Sequence, residues 1–558
     1  METGLTGHIW VAYCLSVSPG CDTYYFSHKR QGETRLSIER EVFGKRWTEV
    51  GAASRVALVL ALGLALLSCG GGGGTNPGSP TATPFQALTS SEVQALVQKA
   101  AEAVDSSNLV IAVVDRLGRI LAVFSRPAVP APSVGNFGVL VDTRELAVSL
   151  ARTAAFFSND QAPLSSRTVR FISGIHFPPG VSFTPNAALY GIENTNRGCT
   201  LSTNYIPGKE VPGSRSIDGM STGLGITTGK ADLNDSDPNA VNPGGVPIFK
   251  NGHVVGGIGV AGVQGGVAEF TAITAVLANG FGPSPAPPGV VVIDGIALPF
   301  VDQTTRPRGV GPGSFVGSFS VGPLGSPGAP PEGDLVAPTA GPMGGLTAAE
   351  VRQVLDNAIA TASQTRAVIR LPLGSRARMV IAVADLDGTI IGLHRMPDAT
   401  IFSIDVAATK ARNVIYFSSK SRTAADLTDV PIGTAVTNRT ISFGAQPLYP
   451  PGIDGTAVGP FFNLYTRDTD NPCTQGFQPG TPDQNKSGIV FFPGSVPLYK
   501  NGVLVGGLGV SGDGVEQDDF VTAGGAVGFE APTDIRADQV MVRGVRLPYL
   551  KFPRNPTD

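Results

Sequence analysis

The sequence predicts an α+β fold carried twice in tandem, each copy an antiparallel sheet with helices packed on it. Two observations predict it. Residues 87–302 and 346–558 repeat one another in order, and their strands come in tight pairs joined by short turns. A parallel sheet would need a crossover helix between neighbouring strands instead. The length of 558 residues also exceeds one ordinary core.

Each copy opens on a capping box, Thr89-x-x-Glu92 and Thr347-x-x-Glu350. Helices follow with one apolar stripe at matching spacing: Val93, Leu96, Val97, Ala100, Ala101 and Val104, against Val351, Val354, Leu355, Ala358, Ile359 and Ala362. A hairpin comes next. Leu109–Val114 turns at Asp115–Gly118 into Arg119–Phe124, and Met379–Ala384 turns at Asp385–Gly388 into Thr389–His394. Copy two carries about a dozen extra residues before this hairpin, around Arg370–Arg378. A second helix spans Glu145–Phe157 or Ile404–Phe417, aligned through Ala151-Arg152 and Ala411-Arg412. Long loops follow, 158–245 and 418–495. The second hairpins turn at Asn251-Gly252 and Asn501-Gly502, strong two-residue turn signals. Each copy ends with a helix from about 267 or 516 and a strand pair turning at Asp294-Gly295 or Arg543-Gly544. Residues 303–345, rich in Pro and Gly, read as a linker.

Composition excludes some functions. The net charge is −3, without the basic excess of a nucleic-acid binder. Charged residues make 15% of the chain, below the roughly 25% of an average domain. The 72 glycines and 45 prolines fit compact domains with long loops.

The N-terminal part carries an address. Arg55 precedes an apolar run, Val56–Leu67, too short to span a bilayer but suited to a secretory signal. Leu66-Leu67-Ser68-Cys69 resembles a bacterial lipobox, which implies a signal segment at 51–69 and lipidation of Cys69. Residues 70–86 then form a Gly/Pro/Thr-rich tether. The expected location is the cell envelope, lipid-anchored, at the outer membrane or facing the periplasm. Residues 1–50 are read as an extension ahead of the true start, or as an unusually long leading region.

The strands Leu109–Asp115 and Met379–Asp385 resemble the first strand of the GlcG/HbpS-like family, named for haem binding and haem degradation. Arg395-Met396-Pro397-Asp398-Ala399 is similar to its Arg-Met-Asp-Gly-Ala motif. The block Gly506–Gly512 with Glu516-Gln517-Asp518-Asp519 is similar to its most typical signature. The resemblance implies two profilin-like domains joined as a pseudo-dimer within one chain. Copy one departs from it: Gly266 and Ala268 stand where copy two has Glu516 and Asp518, so any activity is assigned to copy two.

The resemblance implies non-covalent, b-type haem or a similar flat small-molecule ligand. No Cys-x-x-Cys-His occurs, which excludes covalent c-type attachment. His176, ahead of Phe177-Pro-Pro-Gly180 in a long loop, is the favoured ligand residue over His253 and His394. The repeated Arg167 and Arg439 suit haem propionates, and the repeated Tyr190 and Tyr465 suit iron ligation or ring stacking. The alternative for these, and for the repeated Arg152/Arg412 and Lys250/Lys500, is loop anchoring. Gly257-x-Gly259-x-x-Gly262 and Gly507-x-Gly509-x-x-Gly512 fit a dinucleotide fingerprint by spacing alone. They lie on the return arm of a hairpin, so close helix–sheet packing is the better reading. Cys199 and Cys473 occupy equivalent positions and are expected to pair as a disulfide between the copies. The expected function is haem binding without catalysis. A structural or interaction lipoprotein and an oxidative haem-degrading enzyme are the alternatives.

Overall fold

The protein is described here from a computed structural model. It describes residues 27–30, 33–36, 83–134, 140–171, 243–283, 292–293, 296–297, 300–322, 328–451, 453, 455–469 and 488–557. The chain divides into two compact units, Met1–Thr81 and Ala82–Asp558. In the first, β1 (Ser27–Arg30) and β2 (Glu33–Leu36) form an antiparallel hairpin.

The second unit holds both copies. In copy one, α1 (Ser90–Ala103) leads to β3 (Val110–Asp115) and β4 (Ile120–Ser125). A small pair, β5 (Ser133–Val134) and β6 (Leu140–Val141), precedes α2 (Thr143–Phe157). Then come β7 (Gly245–Lys250), β8 (His253–Ala261), α3 (Gly265–Ala278) and the short pair β9 (Val292–Ile293) and β10 (Ile296–Ala297). Between the copies lie β11 (Ser318–Val321) and β12 (Gly333–Val336). Copy two repeats the order with α4 (Ala348–Gln364), β13 (Val380–Ala384), β14 (Ile390–Arg395) and α5 (Ser403–Ser418). Two helices fill its long loop, α6 (Asn438–Gly444) and α7 (Phe462–Thr469). It closes with β15 (Ser495–Lys500), β16 (Val503–Ser511), α8 (Val515–Gly525) and the pair β17 (Met541–Val542) and β18 (Val545–Arg546).

Each copy builds one five-stranded sheet. The orders are β11-β4-β3-β8-β7 and β12-β14-β13-β16-β15, with every pairing antiparallel. The register irregularities repeat as well, at Val113/Val114 and Val383/Ala384, and at Ile248/Phe249 and Leu498/Tyr499. Such bulges are built-in features of a strand pair, so their recurrence supports one duplicated unit. The region 303–345 is more than a linker. Its β11 pairs with β4 and its β12 with β14, so it supplies an edge strand to each sheet. Pro and Gly hid these strands because edge strands tolerate both.

Local chemistry explains the helices. In both capping boxes the threonine hydroxyl accepts the N3 amide, and the glutamate accepts the threonine N–H, at 2.7 Å in copy one and 2.9 Å in copy two. The apolar stripes are buried as expected, except that Ile359 is only partly covered. Repeated lysines clamp these boxes: Lys250 meets Glu92 at 2.8 Å, and Lys500 meets Glu350 at 2.6 Å. The turn residues Asn251 and Asn501 take φ of 55° and 52°, followed by Gly252 and Gly502 at 85° and 76°, as a type I′ hairpin turn requires.

The glycine-rich return strands lie against the second helix of each copy. A β-carbon at Gly259 would collide with the Ala147 carbonyl oxygen, and one at Gly509 with that of Ala407. The glycines therefore serve helix–sheet approach, as their place in the hairpin implies. Repeated arginines lock the same layer from within: Arg152 Nε donates to Gly118 O (2.7 Å) and Arg412 Nε to Gly388 O (2.6 Å).

The copies touch along an apolar seam. One buried cluster joins Phe156, Phe157 and Leu164 of copy one to Ile369, Ile401 and Phe402 of copy two. The Phe157 and Phe402 rings stack at 4.1 Å and 9°. The Ile401 N–H donates to Phe156 O (3.1 Å) and the Leu371 N–H to Gln161 O (3.2 Å). The joined segments are unlike. Tyr416 and Phe417, the counterparts of Phe156 and Phe157, lie in copy two's own core beside Leu427, Ile441 and Phe461 of its long loop.

Gly259→Ala and Gly509→Ala should each lower stability by about 1–3 kcal/mol, the usual scale of overpacking. Urea unfolding should show earlier midpoints, and unchanged midpoints would refute the close-packing account.

Candidate functional site

Copy one holds a cleft of about 1070 Å³. Its floor is the end of β8 and the turn into α3, from Val260 to Val267. Gly262, at φ 81°, permits that turn. Leu146 and Leu150 of α2 form one wall, and Ser106–Asn108 and Val134 another. Arg167 closes one end with Asp302. Its Nε and Nη2 donate to the two carboxylate oxygens of Glu269 at 2.7 and 3.0 Å, and its Nη1 lies 3.2 Å from Asp302. Burial works against the charge of Arg167, but Glu269 and Asp302 outweigh it and hold its pKa above the ordinary value.

The equivalent region of copy two is filled by the protein itself. Leu150 corresponds to Lys410, and Ala268 to Asp518. Lys410 Nζ donates to Asp518 (2.9 Å) and to Val510 O (2.7 Å), and sits 4.7 Å over the Phe492 ring. Burial pulls the Lys410 pKa down. It also pushes Asp518 up to about 7, with Lys410 offsetting part of the rise. The insertion ahead of β13 covers the strand end: the Val368 N–H donates to Asp513 O (3.0 Å) and Arg370 Nε to the Asp513 carboxylate. The sequence assigned any activity to copy two because copy two keeps the acidic signature. The structure buries Asp518 and Asp519 in internal pairs and leaves Glu516 half-exposed beside Lys551, while the open cleft is in copy one.

The proposed ligand residues are placed as follows. Arg167 lines the cleft. Arg439, its repeat partner, donates to the buried Asp519, the residue equivalent to Glu269. Both arginines therefore tie the long loop to the last helix, whatever else they bind. Tyr465 is on α7, packed edge-on at 6.2 Å from Phe491, away from the copy-one cleft. His176, Tyr190, Cys69, Cys199 and Cys473 lie outside the described residues. Glu516 pairs with Lys551. His394 Nδ1 meets Asp334 at 2.7 Å on the edge of sheet two. Sequence reading missed Leu146, Leu150 and Gln264 as lining residues. The exchange of Leu150 for Lys410 between copies was the available signal.

His253 has a structural task. Its Nδ1 meets Asp160 Oδ2 and its Nε2 meets Thr83 O, each at 2.6 Å. The Thr83 carbonyl can only accept, and an ionised Asp160 accepts as well, so this pair of contacts favours the imidazolium, which donates from both nitrogens. Asp160 also receives the Val254 N–H (2.8 Å), and its own N–H donates to Asp398 (3.1 Å) across the seam. Burial and the neighbouring Asp398 push the Asp160 pKa up. Asp398 is in turn held by Arg370 Nη1 at 2.6 Å, and the buried Arg116 and Arg395 face the same cluster.

The cleft can hold a flat amphiphile: one leucine wall, polar serine and asparagine groups at one rim, and at one end an arginine shared between Glu269 and Asp302. It offers no metal centre by itself. No cluster of three His, Cys, Asp or Glu side chains suited to a metal occurs among the described residues. No described helix is long and apolar enough to cross a membrane.

The fold and cleft define a duplicated α+β domain, with a five-stranded antiparallel sheet between helices in each copy and a ligand-sized hollow among the described residues of copy one. Residues 346–526, in copy two, match the family model described as haem degrading protein HbpS-like. The corrinoid adenosyltransferase PduO of Salmonella typhimurium (strain LT2) is 27% identical over 154 residues, covering 28% of this chain and 33% of PduO. The chain thus spans about a third of the length of that curated relative. A crystal structure of a PduOC:heme complex is 23% identical, covering 34% of this chain and 97% of that one, at a TM-score of 0.22. The Klebsiella pneumoniae protein ORFY, of family DUF336, is 19% identical, covering 33% and 88%, also at 0.22.

The pKa of His253 is raised: burial opposes its charge, but the Thr83 carbonyl and Asp160 outweigh it. A raised histidine pKa stabilises fully below about 6.5 and loses that contribution as pH climbs through the folded value. Thermal stability of the wild type should therefore fall as pH rises above about 6.5. His253→Gln should remove this step, and a variant with an undiminished step would refute the assignment.

Proposed function

We propose that the protein binds haem non-covalently in the cleft of copy one, without turning it over. The observation that carries this reading is the open cleft with a leucine wall, a polar rim and Arg167 at its end, in a chain whose other copy matches the HbpS-like family model. Leu146 and Leu150 would meet one porphyrin face, and Arg167 would take a propionate by exchanging Asp302 for it while keeping Glu269. Bound haem would supply iron for ligation or redox chemistry. The described lining residues include no histidine, cysteine, methionine or tyrosine to ligate it. His176 is the proposed source of that ligand. It lies in the same long loop of the sequence as Arg167 and Pro243, which line the cleft.

Haem titration of the full mature chain tests the reading. A shifted Soret band should saturate at about one equivalent, and His176→Ala should change the band and weaken binding at least tenfold. No shift at micromolar haem would leave the interaction lipoprotein as the better description. Loss of the Soret band with reductant and oxygen would make the protein a degrading enzyme instead.

We also propose export, lipidation at Cys69 and a Cys199–Cys473 bond. The signal-like run 56–67 and the equivalent positions of the two cysteines support these. Mass spectrometry of the membrane-extracted protein, without reductant, should find an acylated N-terminal Cys69 and one linked peptide pair. An unprocessed N-terminus would end the first idea, and two free thiols the second.

A further inference from the structure

We propose that the 366–378 insertion is a built-in occupant of copy two's cleft. The chain then carries one ligand site, in copy one, and copy two acts as its fixed partner. This rests on reading the copy-one cleft as the ligand site.

The geometry points there because the insertion meets the counterparts of the cleft floor. Val263 and Gln264 line the open cleft, and their equivalents are Asp513 and Gly514. Val368 donates its N–H to the Asp513 carbonyl (3.0 Å), and its side chain stands against Gly514. Arg370 reaches the Asp513 carboxylate with a guanidinium that has no solvent exposure. Ile369 is buried in the same apolar cluster as Val406, the counterpart of the cleft wall Leu146. In copy one the connection from α1 to β3 is only residues 104–109, and its Ser106–Asn108 remain a rim of the open cleft.

The insertion also belongs to the seam. Arg370 Nη1 holds Asp398 (2.6 Å), while Gln161 of copy one donates to Leu371 O (2.9 Å) and to Ser375 Oγ (3.1 Å). Filling one cleft and fastening the copies are thus done by the same residues. A ligand entering copy two would have to displace the buried Arg370–Asp513 pair and expose part of the seam. Removing one partner of such a pair is strongly unfavourable. The base of the loop is pinched, with the Ala377 N–H on Thr365 O (2.8 Å) and a bridge between Arg366 and Arg376. The loop can therefore be replaced by a two-residue Asn-Gly turn without moving its ends.

The test compares the whole chain with a variant in which Asn-Gly replaces 367–375 and Lys410→Leu, Asp513→Val and Asp518→Ala restore the copy-one residues. Hydrogen exchange without ligand should be faster at amides 263–266 than at 513–516 in the whole chain. Excision should remove the difference, and a second equivalent of haem should then bind, more weakly than the first because copy two has no histidine corresponding to His176. Equal exchange in the whole chain, or a folded excised protein that still takes one equivalent, would overturn the proposal. A whole chain that takes no haem would refute the haem reading instead, and the exchange comparison alone would then decide whether the insertion covers the strand end. If the excised variant fails to fold, that same comparison decides.

Discussion

The close approach of a glycine-rich strand to a helix governs this molecule. In each copy β8 or β16 lies so near α2 or α5 that a β-carbon would strike a helix carbonyl. That contact fixes the height of the helix over the sheet. It therefore sets where the strand end, the second-helix side chains and the last helix meet. In copy one this meeting point is lined by Leu150, Val260 and Gly266, and it stays hollow. In copy two the same backbone carries Lys410, Asp518 and Glu516, and it is filled. One scaffold thus gives two outcomes through side-chain volume and polarity.

The repeated polar residues mostly serve that scaffold. Arg152 and Arg412 satisfy carbonyls of the first hairpin turn, Lys250 and Lys500 brace the capping boxes, and Arg167 and Arg439 hold an acid of the last helix. Each pairing ties elements far apart in sequence. Repetition in a duplicated chain therefore marks shared architecture first, and ligand contact falls to positions where the copies differ. Arg167 belongs to both groups: it holds Glu269 as Arg439 holds Asp519, and its Nη1 meets the exposed Asp302 at the end of the cleft.

Much of the fold was legible because its signals are local. Capping boxes, the apolar stripe, and the Asn-Gly turns each need only a few neighbouring residues, and all are present in both copies. The edge strands in 303–345 were not legible: a four-residue strand with one paired side has no pattern to distinguish it from linker. Of the site, the long-range partners were hidden. Nothing near Arg167 in sequence announces Glu269, and nothing near Arg370 announces Asp513. The acidic cluster after Gly512 read as a signature of activity, although burial turns Asp518 and Asp519 into partners of Lys410 and Arg439.

Polar filling of copy two also bears on why the copies differ at all. A buried ion pair adds little net stability over a well-packed apolar fill, since desolvation offsets most of the attraction. Lys410–Asp518 is thus better understood as specifying one arrangement than as strengthening it. The arrangement it specifies is a rigid strand end on which the insertion can rest, and the insertion in turn meets Gln161 of copy one. Copy one needs the opposite: Leu150 and Ala268 leave no charge that must be satisfied from within, so an apolar ligand face can enter without stranding a buried ion. The division between a filled copy and a hollow one follows from these two substitutions and one insertion, on sheets of the same strand order.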